Sequence, residues 1–139
     1  MAVNASLVAI LAHIHLQDVD PAAVKTAALA RVVMGLQIDI SKVERQGIRD
    51  LTGEAVRAAR AAGHPYKLVC RVSQNNGTIS ATVRPEEVPL SDPLAHVAGT
   101  SSIVYFETDM FPGLAITEID AGLDATAYGM LSDFVKAVA

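Results

Sequence analysis

Lys25 is the side chain whose placement asks most for a chemical explanation. It falls in the first turn of a helix-forming stretch predicted over residues 21–34, where an ammonium opposes the helix dipole. The residues three and four positions away are Pro21, Ala22, Ala28 and Leu29, so no acid on its own face neutralises it. Two readings fit: a cation with a task outside the helix, or a lysine that lays its stem on apolar surface and its ammonium in water. Asp18 and Asp20 stand just upstream. Either can accept hydrogen bonds from a substrate amine or hydroxyl, and either can equally serve as a turn or helix-capping residue. The third candidate place is the start of the last helix, Ala121-Gly122-Leu123-Asp124-Ala125-Thr126, whose free backbone amides and small residues suit an anion. Asp124 already puts a carboxylate there, which makes capping of the helix by its own chain the competing reading.

Other chemistries are excluded by what the spacing lacks. No two glycines are separated by a single residue, so neither a Gly-x-Gly-x-x-Gly turn nor a self-sufficient dinucleotide site is expected. His13 and His15 are two apart and point to different faces of any helix, and His64 and His96 have no ligand set nearby, so no metal site is expected. No Gly-x-Ser-x-Gly elbow occurs. Cys70, the only cysteine, sits in the apolar run Leu68-Val69-Cys70-Arg71-Val72 and reads as a buried, inert thiol. The net charge of −4, without a basic cluster, argues against nucleic acid as a partner. The apolar stretch at residues 7–12 is too short to span a bilayer and lacks a positively charged lead, so a cytoplasmic protein with no membrane contact is expected.

The elements that must position these residues follow from periodicity and punctuation. Apolar positions at helical spacing predict a helix over residues 5–16, a turn at Asp18-Val19-Asp20-Pro21, and a second helix ended by Gly35. Residues 37–41 alternate as a short strand does, and residues 43–51 give no clear pattern. Thr52 opens an arginine- and alanine-rich helix that stops at Gly63. Residues 66–73 and 78–84 flank Asn75-Asn76-Gly77 and predict a β-hairpin. Pro85, Pro89 and Pro93 predict an ordered connection over 85–98 with one helical turn at 93–96. Strands at 102–108 and 114–119 and a helix from 124 to 138 complete the chain. A hydrophobic share of 51% in 139 residues suits one aliphatic globular domain spanning residues 1–139. Helices at both ends with strands between them predict an α+β fold, a largely antiparallel sheet covered on one face by helices.

The order of seven segments carries a further signal. They are Ala22-Ala23-Val24-Lys25 running to Met34-Gly35; Gly47-Ile48 before Leu51-Thr52; Ala61-Ala62-Gly63; Lys67-Leu68-Val69-Cys70; Val83-Arg84-Pro85-Glu86-Glu87-Val88-Pro89; Asp92-Pro93-Leu94-Ala95-His96-Val97-Ala98-Gly99; and Thr126-Ala127-Tyr128-Gly129-Met130-Leu131-Ser132-Asp133. Together this order resembles the C-terminal substrate-binding and dimerisation part of homoserine dehydrogenase.

The resemblance implies several things. The fold is that family's catalytic-domain type. An amino-terminal Rossmann domain, which in the family holds NAD(P), is expected to precede Met1 and to be missing here, so no cofactor binding by this chain alone is expected. Lys25 takes the place of the family lysine that handles the proton of the substrate hydroxyl, and a desolvated lysine suits that task. Asp18 matches the family's substrate-binding glutamate, one methylene shorter, with Asp20 beside it. Gly122 and Thr126 are the positions where the last helix would touch a cofactor supplied by a partner. Three departures fall on the site. Pro21 stands where the family has an aspartate one turn before the lysine. Gln17-Asp18-Val19-Asp20-Pro21 joins the helix directly, as though the substrate loop were deleted, and the glycine-rich segment before the last helix is reduced to Ala121-Gly122. Two functions remain open. One is a stand-alone module, inactive alone, that binds a small ligand or assembles. The other is the substrate half of a split NAD(P)-dependent enzyme completed by a separate nucleotide-binding chain. A homodimer is expected in either case.

Overall fold

The computed structural model describes residues 5–10 and 19–139. Strands β1 (Ala5–Ile10), β2 (Glu44–Arg45), β3 (Tyr66–Asn75), β4 (Thr78–Glu87), β5 (Ser102–Thr108) and β6 (Leu114–Glu118) form one six-stranded sheet in the order β2-β4-β3-β1-β5-β6. Every pairing is antiparallel except β2 with β4. Helices α1 (Val19–Met34), α2 (Gly53–Ala61) and α3 (Leu123–Val138) are distributed as the α+β reading requires.

The hairpin of β3 and β4 frames the sheet. Asn76 at φ 50° and Gly77 at φ 83° supply the two left-handed residues of a tight turn, fixing the register Asn75↔Thr78. The strands run further than the sequence suggests. Pro85 does not end β4 but pairs with Leu68. Proline is tolerated there because β2 pairs with β4 only at Thr82 and Val83, so the outer edge of β4 beyond them has no partner strand.

The predicted first helix is overturned over residues 5–10, which form β1 between β3 and β5. Its central position explains the error. Leu7 and Ala9 face α1 while Val8 faces the opposite side, and all three are buried, so the strand reads as an unbroken apolar run in which helical and extended periods look alike. Residues 37–41 are also not a strand. They lead into a 3-10 turn, Ile40–Lys42, opened by the Asp39 carboxylate accepting from Ser41 N at 2.9 Å. The extended pair follows later, as β2.

Helix α1 covers the sheet with small residues. Ala22, Ala23, Thr26, Ala27 and Ala30 recur at helical spacing, are buried, and let the helix approach Leu7, Leu68, Cys70, Val72 and Val83 closely. Thr26 satisfies its buried hydroxyl by donating to Ala22 O at 2.7 Å. Gly35, at φ 68°, stops the helix. On the sheet's other face Val8, Val69 and Ile103 pack under the 3-10 turn Pro93–His96, whose Leu94 and Ala95 are buried. Lys67 Nζ donates to Val97 O at 2.5 Å and pins that turn to β3.

Among the described residues, the β6 edge and α3 are exposed. Leu114 and Ile116 on β6 are exposed beside Phe106 and Val104 of β5, their cross-strand partners. No residue of α3 is buried. A helical projection of α3 places Leu123, Ala127, Tyr128, Met130, Leu131, Phe134, Val135 and Val138 on one broad apolar half, with Thr126, Ser132, Asp133 and Lys136 on the other.

Candidate functional site

Helix α1 begins at Val19, two residues before the predicted start, so Lys25 stands in its second turn rather than its first. The side chain is exposed and rims a hollow of about 360 Å³ walled by Ala28, Leu29 and Val32. No described carboxylate lies within ion-pair distance of it.

Asp20 does not join Lys25. The two are five positions apart, about 140° around a helix, and therefore lie on different faces. Asp20 Oδ1 instead accepts from Arg45 Nη1 at 2.8 Å, while Arg45 Nη2 donates to Ile40 O at 2.5 Å. Arg45 thus ties the first turn of α1 to the 3-10 turn and, through β2, to the sheet edge. Sequence reasoning missed this clamp: the partners are 25 residues apart, and Arg45 lies in the stretch without a clear period. Asp18, His13 and His15 lie outside the described residues.

The start of α3 is open. Its N-cap, Gly122, sits at φ −93° and ψ 171° with no side-chain capping bond, and a Cβ placed there would meet nothing within 4 Å. Gly122 and Thr126 therefore flank free amides in solvent, with Asp124 in the same turn opposing a negative ligand. This helix start can meet an anion, but it lacks the glycine turn that lets a backbone cradle a pyrophosphate. Among the described residues no cluster of His, Cys, Asp or Glu could hold a metal ion, and no helix is long and apolar enough to cross a membrane.

Electrostatics elsewhere is structural. Burial pushes the Cys70 thiol up, a rise opposed by a hydrogen bond with Thr26 and by the charge of Lys25. Burial also pushes Glu86 up, but hydrogen bonds from Arg84 at 2.9 Å and Arg71 at 3.0 Å, with their charges, outweigh it and hold the carboxyl below its usual range. Burial lowers Lys67, and the charge of Arg60 adds to the effect.

Comparison with known proteins sets this geometry in context. A family model described as Homoserine dehydrogenase matches residues 16–135. The homoserine dehydrogenase of Lactococcus lactis is 30% identical over 123 residues, covering 87% of this chain and 29% of that protein. That of Methanocaldococcus jannaschii is 32% identical over 121 residues, covering 86% and 34%. A crystal structure of Staphylococcus aureus homoserine dehydrogenase at pH 6.5 superposes with a TM-score of 0.79 at 20% identity, covering 98% of this chain and 43% of its own. The chain thus spans about a third of the curated relatives it matches.

Proposed function

From the premise that the chain belongs to the homoserine dehydrogenase family, we propose that residues 1–139 are the substrate-side and assembly half of a homoserine/aspartate semialdehyde oxidoreductase. Alone they are inactive, and a nucleotide-binding unit, in a separate chain or in further residues of the same polypeptide, completes the site. The single observation that carries this reading is the pairing of an exposed Lys25 ledge, with no carboxylate in ion-pair reach among the described residues, with an apolar α3 none of whose residues is buried. A sixteen-residue helix half covered in aliphatic and aromatic side chains is marginal alone in water and calls for a partner surface.

In the completed site Lys25 would hold or move the proton at the substrate hydroxyl oxygen, and the apolar ledge beneath it would exclude water. A nucleotide-binding partner would hold the NAD(P), which would supply hydride-transfer chemistry at the substrate carbon while Lys25 acts on the hydroxyl proton. A Pseudomonas canavaninivorans relative, 27% identical over 112 residues, is named as NAD(+)-dependent, which supports that cofactor class. Asp18 would meet the substrate ammonium. Asp20 contributes through the Arg45 clamp, and Gly122 and Thr126 form the rim nearest the cofactor. Exposed Leu114 and Ile116 on the edge strand β6 favour pairing with a second copy of the chain.

Pro21, in place of the family aspartate, favours a second reading in which the module binds a small ligand or assembles without redox chemistry. Sedimentation of the chain alone and mixed with the nucleotide-binding segment of the Lactococcus lactis relative separates the two. A dimer that takes up that segment supports the completed enzyme, a dimer that ignores it supports the assembly module, and a monomer that ignores it contradicts both.

A further inference from the structure

Next to the Lys25 hollow, and sharing Ala28 with it, a second depression of about 630 Å³ opens between α1 and residues 37–40. It is an open depression: of its lining only Ala27 is buried and Ile38 half-buried, while its volume is that of a small-molecule site. Val24, Ala27, Ala28, Ile38 and Ile40 give it aliphatic walls, and Arg31 and Asp39 bring one charge of each sign to the same space.

We propose that this cavity binds a free α-amino acid with a short aliphatic side chain, as the zwitterion, with Arg31 holding its carboxylate and Asp39 its ammonium. A simple anion or cation entering here meets a like charge as well as an opposite one, whereas a zwitterion satisfies both. Asp39 is prepared for the role. Its Oδ1 already accepts from Ser41 N at 2.9 Å and from Ser41 Oγ at 2.8 Å, which fixes the carboxylate and leaves Oδ2 for a ligand. Those same hydrogen bonds hold the carboxyl below its usual range, so it is ionised at neutral pH. Arg31 takes part in none of the ion pairs among the described residues. The 3-10 turn that carries Ile40 is held by Arg45, so part of the wall is in place before a ligand arrives. The two hollows share Ala28, but Lys25 does not line this one, so a Lys25 substitution tells the two sites apart.

The test is a calorimetric and NMR titration of the 139-residue chain with L-valine. Isobutylamine and 3-methylbutanoate, which are valine without its carboxylate or without its ammonium, serve as comparators. Saturable valine binding is expected with a dissociation constant of about 10 μM to 1 mM, and each comparator should bind about tenfold more weakly or worse. Arg31→Gln should erase the advantage of valine over isobutylamine, and Asp39→Asn its advantage over 3-methylbutanoate. Asparagine can still cap the 3-10 turn, and Arg31 is exposed, so both variants should keep the melting temperature of the parent. Lys25→Met should bind valine normally. No saturation up to about 10 mM, equal binding by the parent and both charge variants, or loss of binding in Lys25→Met would each overturn the assignment.

Discussion

Phe134→Ala separates a helix that holds the fold together from one that waits for a partner. Phe134 is 64% exposed, so little more than a third of its surface is covered in this chain. Full burial of a phenylalanine is worth about 1.5–3 kcal/mol, so the covered share contributes about 0.5–1 kcal/mol, and alanine's better helix propensity returns about 0.5 kcal/mol. The isolated chain should therefore unfold in urea within about 0.5 kcal/mol of the parent. Docking buries the remainder, about 1–2 kcal/mol, so the affinity for a nucleotide-binding segment should fall about five- to thirtyfold. Unfolding curves and a titration of that segment measure the two numbers on the same protein. A loss of more than about 2 kcal/mol in the isolated chain, or unchanged affinity, would show that the α3 face has been misassigned.

Other sites give opposite signatures. Leu7→Ala, at a fully buried position in the central strand, should cost about 3–5 kcal/mol in urea unfolding, and a loss below about 1 kcal/mol would contradict the core assignment. Glu86 has a lowered folded-state pKa, so its ionic contribution is complete above its unfolded value and is lost as pH falls through the folded one. The stability gap between the parent and Glu86→Gln should accordingly be largest near neutral pH and shrink as pH falls below the ordinary carboxylate value of 4.5; a constant gap would contradict it. Cys70, buried and raised, should react with a thiol reagent about a hundredfold more slowly in the folded chain than in urea, and equal rates would refute its burial.

Local signals made much of the fold legible. Asn76-Gly77 demanded a tight hairpin, Thr52 and Gly63 bracketed α2, and Gly35 closed α1, because caps and turns are chosen by a few residues with special backbone or hydrogen-bonding abilities. Where burial on both faces removed the alternation, at β1, sequence periodicity misled. Pro85 misled for the opposite reason, since only the tertiary position of a strand edge permits a proline there. Of the candidate site, the sequence offers residue types but not their meeting. The ledge around Lys25 follows from Ala28, Leu29 and Val32 at helical spacing, whereas Arg45 reaching Asp20, and Arg31 sharing a cavity with Asp39, depend on chain folding between distant segments.

The central claim, that this chain supplies the substrate side of a dehydrogenase and needs a nucleotide-binding partner, is tested most directly by following NAD(P)H absorbance with homoserine as substrate. The chain alone should give no reduction. The chain mixed with the nucleotide-binding segment of the Lactococcus lactis relative should give homoserine-dependent reduction that falls about a hundredfold or more in Lys25→Met. Reduction by the chain alone, or activity in the mixture that Lys25→Met leaves untouched, would contradict the account.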